Sequence, residues 1–104
     1  MTMKDMQKQV DDWVQQFKIT YWQPMEQLAR LTEETGELAR EFNHRYGPKK
    51  KKSTEDLKDI EDELGDLIFT IICIANAHKI NLDSAFVRVM DKYYGRDNNR
   101  YEKK

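Results

Sequence analysis

The chain has 104 residues, room for one domain with one modest core. Its 18 Lys and Arg nearly balance 19 Asp and Glu, and a net charge of -1 gives no pull toward nucleic acid or an anionic membrane. Four glycines and two prolines supply little turn chemistry, which favours long helices over many short strands.

The amino-terminal stretch MTMKDMQKQVDDW is charged from the start and lacks an apolar signal-peptide segment. Met6, Val10, Trp13 and Phe17 recur at three- and four-residue spacing and predict a first helix. Leu28, Leu31, Leu38 and Phe42 predict a second, with Pro24 suited to its first turn and Gly47-Pro48 to its end. A third stripe runs through Leu57, Ile60, Leu64, Leu67, Ile71 and Ile74, with Ser53 or Thr54 followed by Glu55 and Asp56 as its start. The fourth comprises Leu82, Phe86, Val89 and Tyr93, with Asp83 as a cap and Gly95 as an interruption or end.

Short connections and these stripes predict an all-α, antiparallel four-helix bundle-like domain over residues 1–104, with a polar tail from about 97. The third helix is apolar nearly all round from Leu67 to Ala77, more than one layer of a small monomer covers. A homodimer is therefore expected, or a homotetramer of paired dimers. The same stretch falls short of the ~20 residues of a membrane span. Cys73 within it is a lone, reduced thiol, and the expected location is the cytoplasm.

Two helical segments carry acids three apart: Glu34 and Glu37 in LTEETGELAREF, and Glu63 and Asp66 in IEDELGDLIF. At ~100° per residue, Glu34 lies roughly 80° and Glu37 roughly 140° to one side of their helix's stripe. Glu63 and Asp66 lie at roughly the same offsets, in the same sense, on the next helix. An antiparallel pair puts all four on one side, Glu37 level with Glu63 and Glu34 level with Asp66. Glu41 and Asp59 continue that face one turn toward the connection. Such facing carboxylates suit a hard divalent cation, which wants oxygen ligands and keeps waters and substrate phosphates in its shell. A solvated acidic face is the other reading in a chain whose residues are 36% charged.

These residues resemble the MazG-like nucleotide pyrophosphohydrolases, all-α enzymes with the motif E-E-x-x-E followed at variable distance by E-x-x-D. The motif reads Glu33-Glu34-Thr35-Gly36-Glu37 and Glu63-Leu64-Gly65-Asp66, and the similarity runs from about Trp22 to about Arg96. The resemblance implies Mg²⁺-dependent hydrolysis of an NTP or dNTP to the monophosphate and pyrophosphate, with Mn²⁺ as a substitute. It implies Glu34, Glu37, Glu63 and Asp66 as metal ligands. For Glu33 it implies a residue behind those ligands, a ligand of a further metal or the group that orients the attacking water. The chemistry lets either Glu33 or Glu34 accept that water's proton, and the sequence does not choose between them. Lys92, Tyr93 and Arg96 match a K-[F/Y]-x-x-R pattern whose basic residues meet phosphate in relatives. Trp22 and Gln23 stand where some relatives contact the base, and Trp22 also reads as a cap on the core. The chain departs from tandem-domain relatives in its single short domain, and its tetralysine segment Lys49–Lys52 has no counterpart in the family pattern. The rival from another class is a non-catalytic helical dimer that binds nucleotide or a basic protein as a regulatory module.

Overall fold

A computed structural model describes residues 1–48 and 60–104, all-helical without strands among those residues. The predicted start of the third helix at Ser53 or Thr54, its acidic first turn at Glu55 and Asp56, and Leu57, Asp59 and Lys49–Lys52 lie outside them.

Helix α1, Met3–Val14, opens with a capping box. Thr2 Oγ1 accepts from the Asp5 amide at 3.0 Å and Asp5 Oδ2 accepts from the Thr2 amide at 2.9 Å. Two otherwise orphaned donors are satisfied, an arrangement worth roughly 1 kcal/mol. The helix stops at Val14, one turn before the predicted stripe ends. Phe17 sits in the following turn, its amide 3.2 Å from the Val14 carbonyl, and stacks edge-on with Trp13 at 4.9 Å.

Helix α2, Pro24–Tyr46, starts at proline as expected, with the Gln23 amide donating to Glu26 Oε1 at 3.0 Å. It ends at Gly47, where a Cβ would lie 2.7 Å from the Asn43 carbonyl oxygen. Helix α3, Ile60–Ala77, closes in a Schellman turn: Ile80 donates to the Ala75 carbonyl at 2.8 Å and Lys79 to that of Asn76 at 3.1 Å. Lys79 takes the left-handed conformation there, φ 55°, a place glycine usually fills.

Helix α4, Leu82–Lys92, is capped by Asn81, whose side chain accepts from the Ser84 amide at 3.1 Å. Asp83, the expected cap, instead accepts from the Lys4 amide at 3.1 Å and ties α4 to the start of α1. The chain does not break at Gly95, because a π-helical turn, Tyr93–Asp97, carries it onward.

Helix α3 is central, with α2 and α1 packed against it, while α4 leans on α1. Gln27 meets the Cys73 carbonyl while Glu34 and Glu37 meet Glu63, so α2 and α3 run in opposite directions. Among the described residues the buried apolar core is Val14, Ile72 and Ala75, and α4 buries no residue of its own. The fourth helix therefore does not close a bundle within one chain. Nor is α3 covered on every side, since Leu64, Ile68 and Ile71 remain exposed. The radius of gyration, 17.3 Å, exceeds the ~13 Å of a globular chain this long. No described helix is long and apolar enough to cross a membrane.

Candidate active site

Opposed α2 and α3 bring Glu34, Glu37 and Glu63 together, one carboxylate oxygen from each lying within 4.8 Å of the others. Glu63 is 0% exposed and Glu34 5%, while Glu37 faces solvent. Burying carboxylates this close is costly unless positive charge joins them. Arg30, one turn before Glu34, supplies some, its Nε donating to Glu34 Oε1 at 2.9 Å. Glu34 Oε2 is buried with no hydrogen-bond partner among the described residues. An all-oxygen donor set with a buried, unpartnered carboxylate oxygen fits a hard divalent cation, whose ligand oxygens cluster at a similar spacing.

Asp66, the fourth expected ligand, is exposed and stands outside this group. Its backbone carbonyl accepts from the Thr70 hydroxyl at 2.9 Å. Its side chain is one methylene shorter than glutamate and starts further round α3. Glu33 is not part of the trio and lines a cavity with Trp22, Glu26 and Arg30.

A second cavity, of about 340 Å³, opens beside the cluster between α1, the α1–α2 turn and the facing stretches of α2 and α3. Trp13, Phe17, Trp22 and Phe69 give it aromatic walls, Trp13 and Phe69 meeting edge-on at 5.8 Å. Its polar groups are largely committed. Gln27 Nε2 donates to the Cys73 carbonyl at 3.3 Å, and the Tyr21 hydroxyl donates to Asp11 at 2.6 Å while accepting from Asn76 at 3.0 Å. Burial, then the Asp11 carboxylate, pushes the Tyr21 phenol up to about 12. Burial also raises the Cys73 thiol on the same wall, which leaves it a poor nucleophile.

Of the two expected base contacts, Trp22 lines this cavity, whereas Gln23 caps α2 outside it. Trp13 and Phe17 read as a core stripe and Phe69 as part of an apolar run, because a stripe bound for a cavity wall has the same periodicity as one bound for a core. Arg30 left a signal, a cation four residues before an acid on one helix. Lys92 and Arg96 pair with near neighbours in sequence. The Lys92 ammonium lies 5.2 Å from the Tyr93 ring centre, and Arg96 forks Asp97 with two contacts of 3.0 Å.

Residues 23–101 match the family model of the MazG nucleotide pyrophosphohydrolase domain. The chain belongs to the MazG nucleotide pyrophosphohydrolase family. Like its MazG relatives it is an enzyme, a nucleotide pyrophosphohydrolase by class. It is 53% identical over 103 residues to YpjD, an uncharacterized protein of Bacillus subtilis (strain 168), with 99% of this chain and 93% of that protein covered. Its fold matches the crystal structure of Bacillus subtilis YPJD, described there as a candidate pyrophosphatase. That TM-score is 0.80 at 55% identity, over 89% of this chain and 95% of the other. A second match is the Bacillus-conserved MazG protein, a nucleotide pyrophosphohydrolase, with TM-score 0.79 and 50% identity over 92% and 93% of the two chains.

Proposed function

We propose that this MazG chain hydrolyses a nucleoside triphosphate, ribo or deoxy, to the monophosphate and pyrophosphate in a Mg²⁺-dependent reaction, as cytoplasmic upkeep of the nucleotide pool. One observation carries the reading: a carboxylate trio with Glu34 and Glu63 buried, and a Glu34 oxygen unpartnered among the described residues, is joined through Arg30 to an aromatic cavity of about 340 Å³. Base and triphosphate are the two halves of a ligand that such neighbours suit.

Glu34, Glu37 and Glu63 hold the cation in this reading, and Asp66 completes the set by a change of rotamer. Bound Mg²⁺, with Mn²⁺ able to replace it, would offset phosphate charge and acidify a coordinated water. Glu33 or Glu34 accepts the proton from the water that attacks the α-phosphorus, and pyrophosphate leaves. Trp22 stacks on the base, with Gln23 at the mouth of the cavity.

The working form is a homodimer, or a tetramer of two dimers. Exposed Leu64, Ile68 and Ile71 on α3, with Phe86 and Val89 on an α4 that buries nothing, support it, because large apolar faces of this kind are normally covered. Lys92 and Arg96, outside their own chain's Glu34, Glu37 and Glu63 group, would reach phosphate as contributions to a partner's site.

The test is release of both products from a panel of canonical and modified NTPs and dNTPs, with Mg²⁺ and with EDTA. Turnover lost in EDTA is expected, as is its loss in Glu63→Gln with an unchanged helical circular-dichroism signal. Orthophosphate release would move the cut to another bond. No turnover by folded protein across the panel would favour the regulatory binding module.

A further inference from the structure

Arg30 occupies an unusual place. It lines both the aromatic cavity and the neighbouring cavity that holds Glu33, and it is the cation paired with buried Glu34. Its guanidinium carbon lies 5.7 Å from the Trp22 ring centre. Only Nε is engaged, so among the described residues the two terminal amino groups make no hydrogen bond. The side chain is 41% exposed against 6% for Glu34, so it can leave the pair at little packing cost.

We infer that Arg30 has two alternating partners: it is the counter-ion of Glu34 in the free protein and a phosphate ligand once nucleotide is bound. The inference rests on the metal-dependent reading above. A carboxylate buried as deeply as Glu34 needs a cation, and the guanidinium provides one. A divalent ion on the trio takes over that duty. The planar fork is then free for a phosphate oxygen pair, the geometry guanidinium recognises best. A nucleotide with its base among Trp13, Trp22 and Phe69 and its phosphates at the carboxylates has to pass this side chain.

The two roles have opposite signatures. Removing a like charge beside Glu34 strengthens cation binding, and removing a phosphate ligand weakens triphosphate binding. A residue that only stiffens α2 or orients Glu34 cannot produce both. The experiment measures Mn²⁺ alone by electron paramagnetic resonance, and inorganic triphosphate with Mg²⁺ by calorimetry, on wild type, Arg30→Gln and Arg30→Lys. Arg30→Gln is expected to bind Mn²⁺ about threefold tighter or more and triphosphate about tenfold weaker. Arg30→Lys keeps the charge, so it should hold wild-type Mn²⁺ affinity and recover part of the triphosphate affinity.

Equal binding of both probes by Arg30→Gln, or weakening of both, would overturn the inference while leaving the metal reading intact. A wild-type protein that binds no Mn²⁺ would remove the metal reading itself, and this inference with it.

Discussion

Gln7 and Asn76 exchange hydrogen bonds across the packing of α1 on α3. Gln7 Nε2 donates to Asn76 Oδ1 at 2.9 Å, and Asn76 Nδ2 donates to the Gln7 carbonyl at 2.9 Å. The same pair reaches outward. Gln7 also contacts the Ile80 carbonyl at 2.8 Å and the Leu82 amide at 3.0 Å, and Asn76 donates to the Tyr21 hydroxyl. One half-buried amide pair thus fixes α1, the α1–α2 turn and the α3–α4 turn around the aromatic cavity.

Asn76→Leu keeps the size of the side chain but strands several polar partners. It should destabilise the protein by roughly 2–3 kcal/mol, read as a lower urea midpoint at unchanged slope. Because Tyr21 and Trp13 both line the cavity, KM for nucleotide should rise more than kcat falls.

Tyr21 makes stability sensitive to alkali. Its phenol titrates at about 12 when folded, above the ordinary value of 10.0. A folded value above the unfolded one gives a contribution fully present below pH 10, which is lost as pH rises from 10 toward 12. Urea midpoints between pH 9 and pH 11.5 should fall for wild type, and Tyr21→Phe should flatten that part of the decline.

Lys79 holds the left-handed position of the turn after α3, at φ 55°. Lys79→Gly removes the Cβ strain there and, after the added freedom of the unfolded chain, should stabilise by up to about 1 kcal/mol. The midpoint of thermal unfolding should rise by a few degrees with no change in KM.

Ile68 lies in the middle of the exposed α3 face, at 47% exposure beside Leu64 and Ile71. Ile68→Glu should leave the helical signal of the fold in place and break the oligomer, because a desolvated charge costs several kcal/mol at an apolar contact. Light scattering after size exclusion should show a mass near 12.5 kDa in place of a multiple of it.

Much of the candidate site was legible before the fold was known. The spacing of Glu34, Glu37 and Glu63 on two opposed helices sufficed to set them on one side, since helical periodicity fixes direction about the axis. Asp66 fell outside the trio because periodicity says nothing of reach. The basic pattern of Lys92 and Arg96 was legible as well, but Lys92 ends an α4 that packs on α1 and Arg96 lies in the turn beyond it, where it pairs with Asp97.

The chain by itself determined the helices, because spacing, caps and proline act over a few residues, and it determined the family, because the two acidic motifs are local as well. Asn81 displacing Asp83 as a cap is a shift of two positions within the same local logic. Only the tertiary structure decided which apolar residues wall a cavity and which fill a core, and that Arg30 joins the cavity to Glu34. It also decided that α4 packs on α1 and buries no residue of its own. Those outcomes depend on which surfaces of distant segments meet, and a stripe looks the same whether a neighbouring helix, a nucleotide or a second chain covers it.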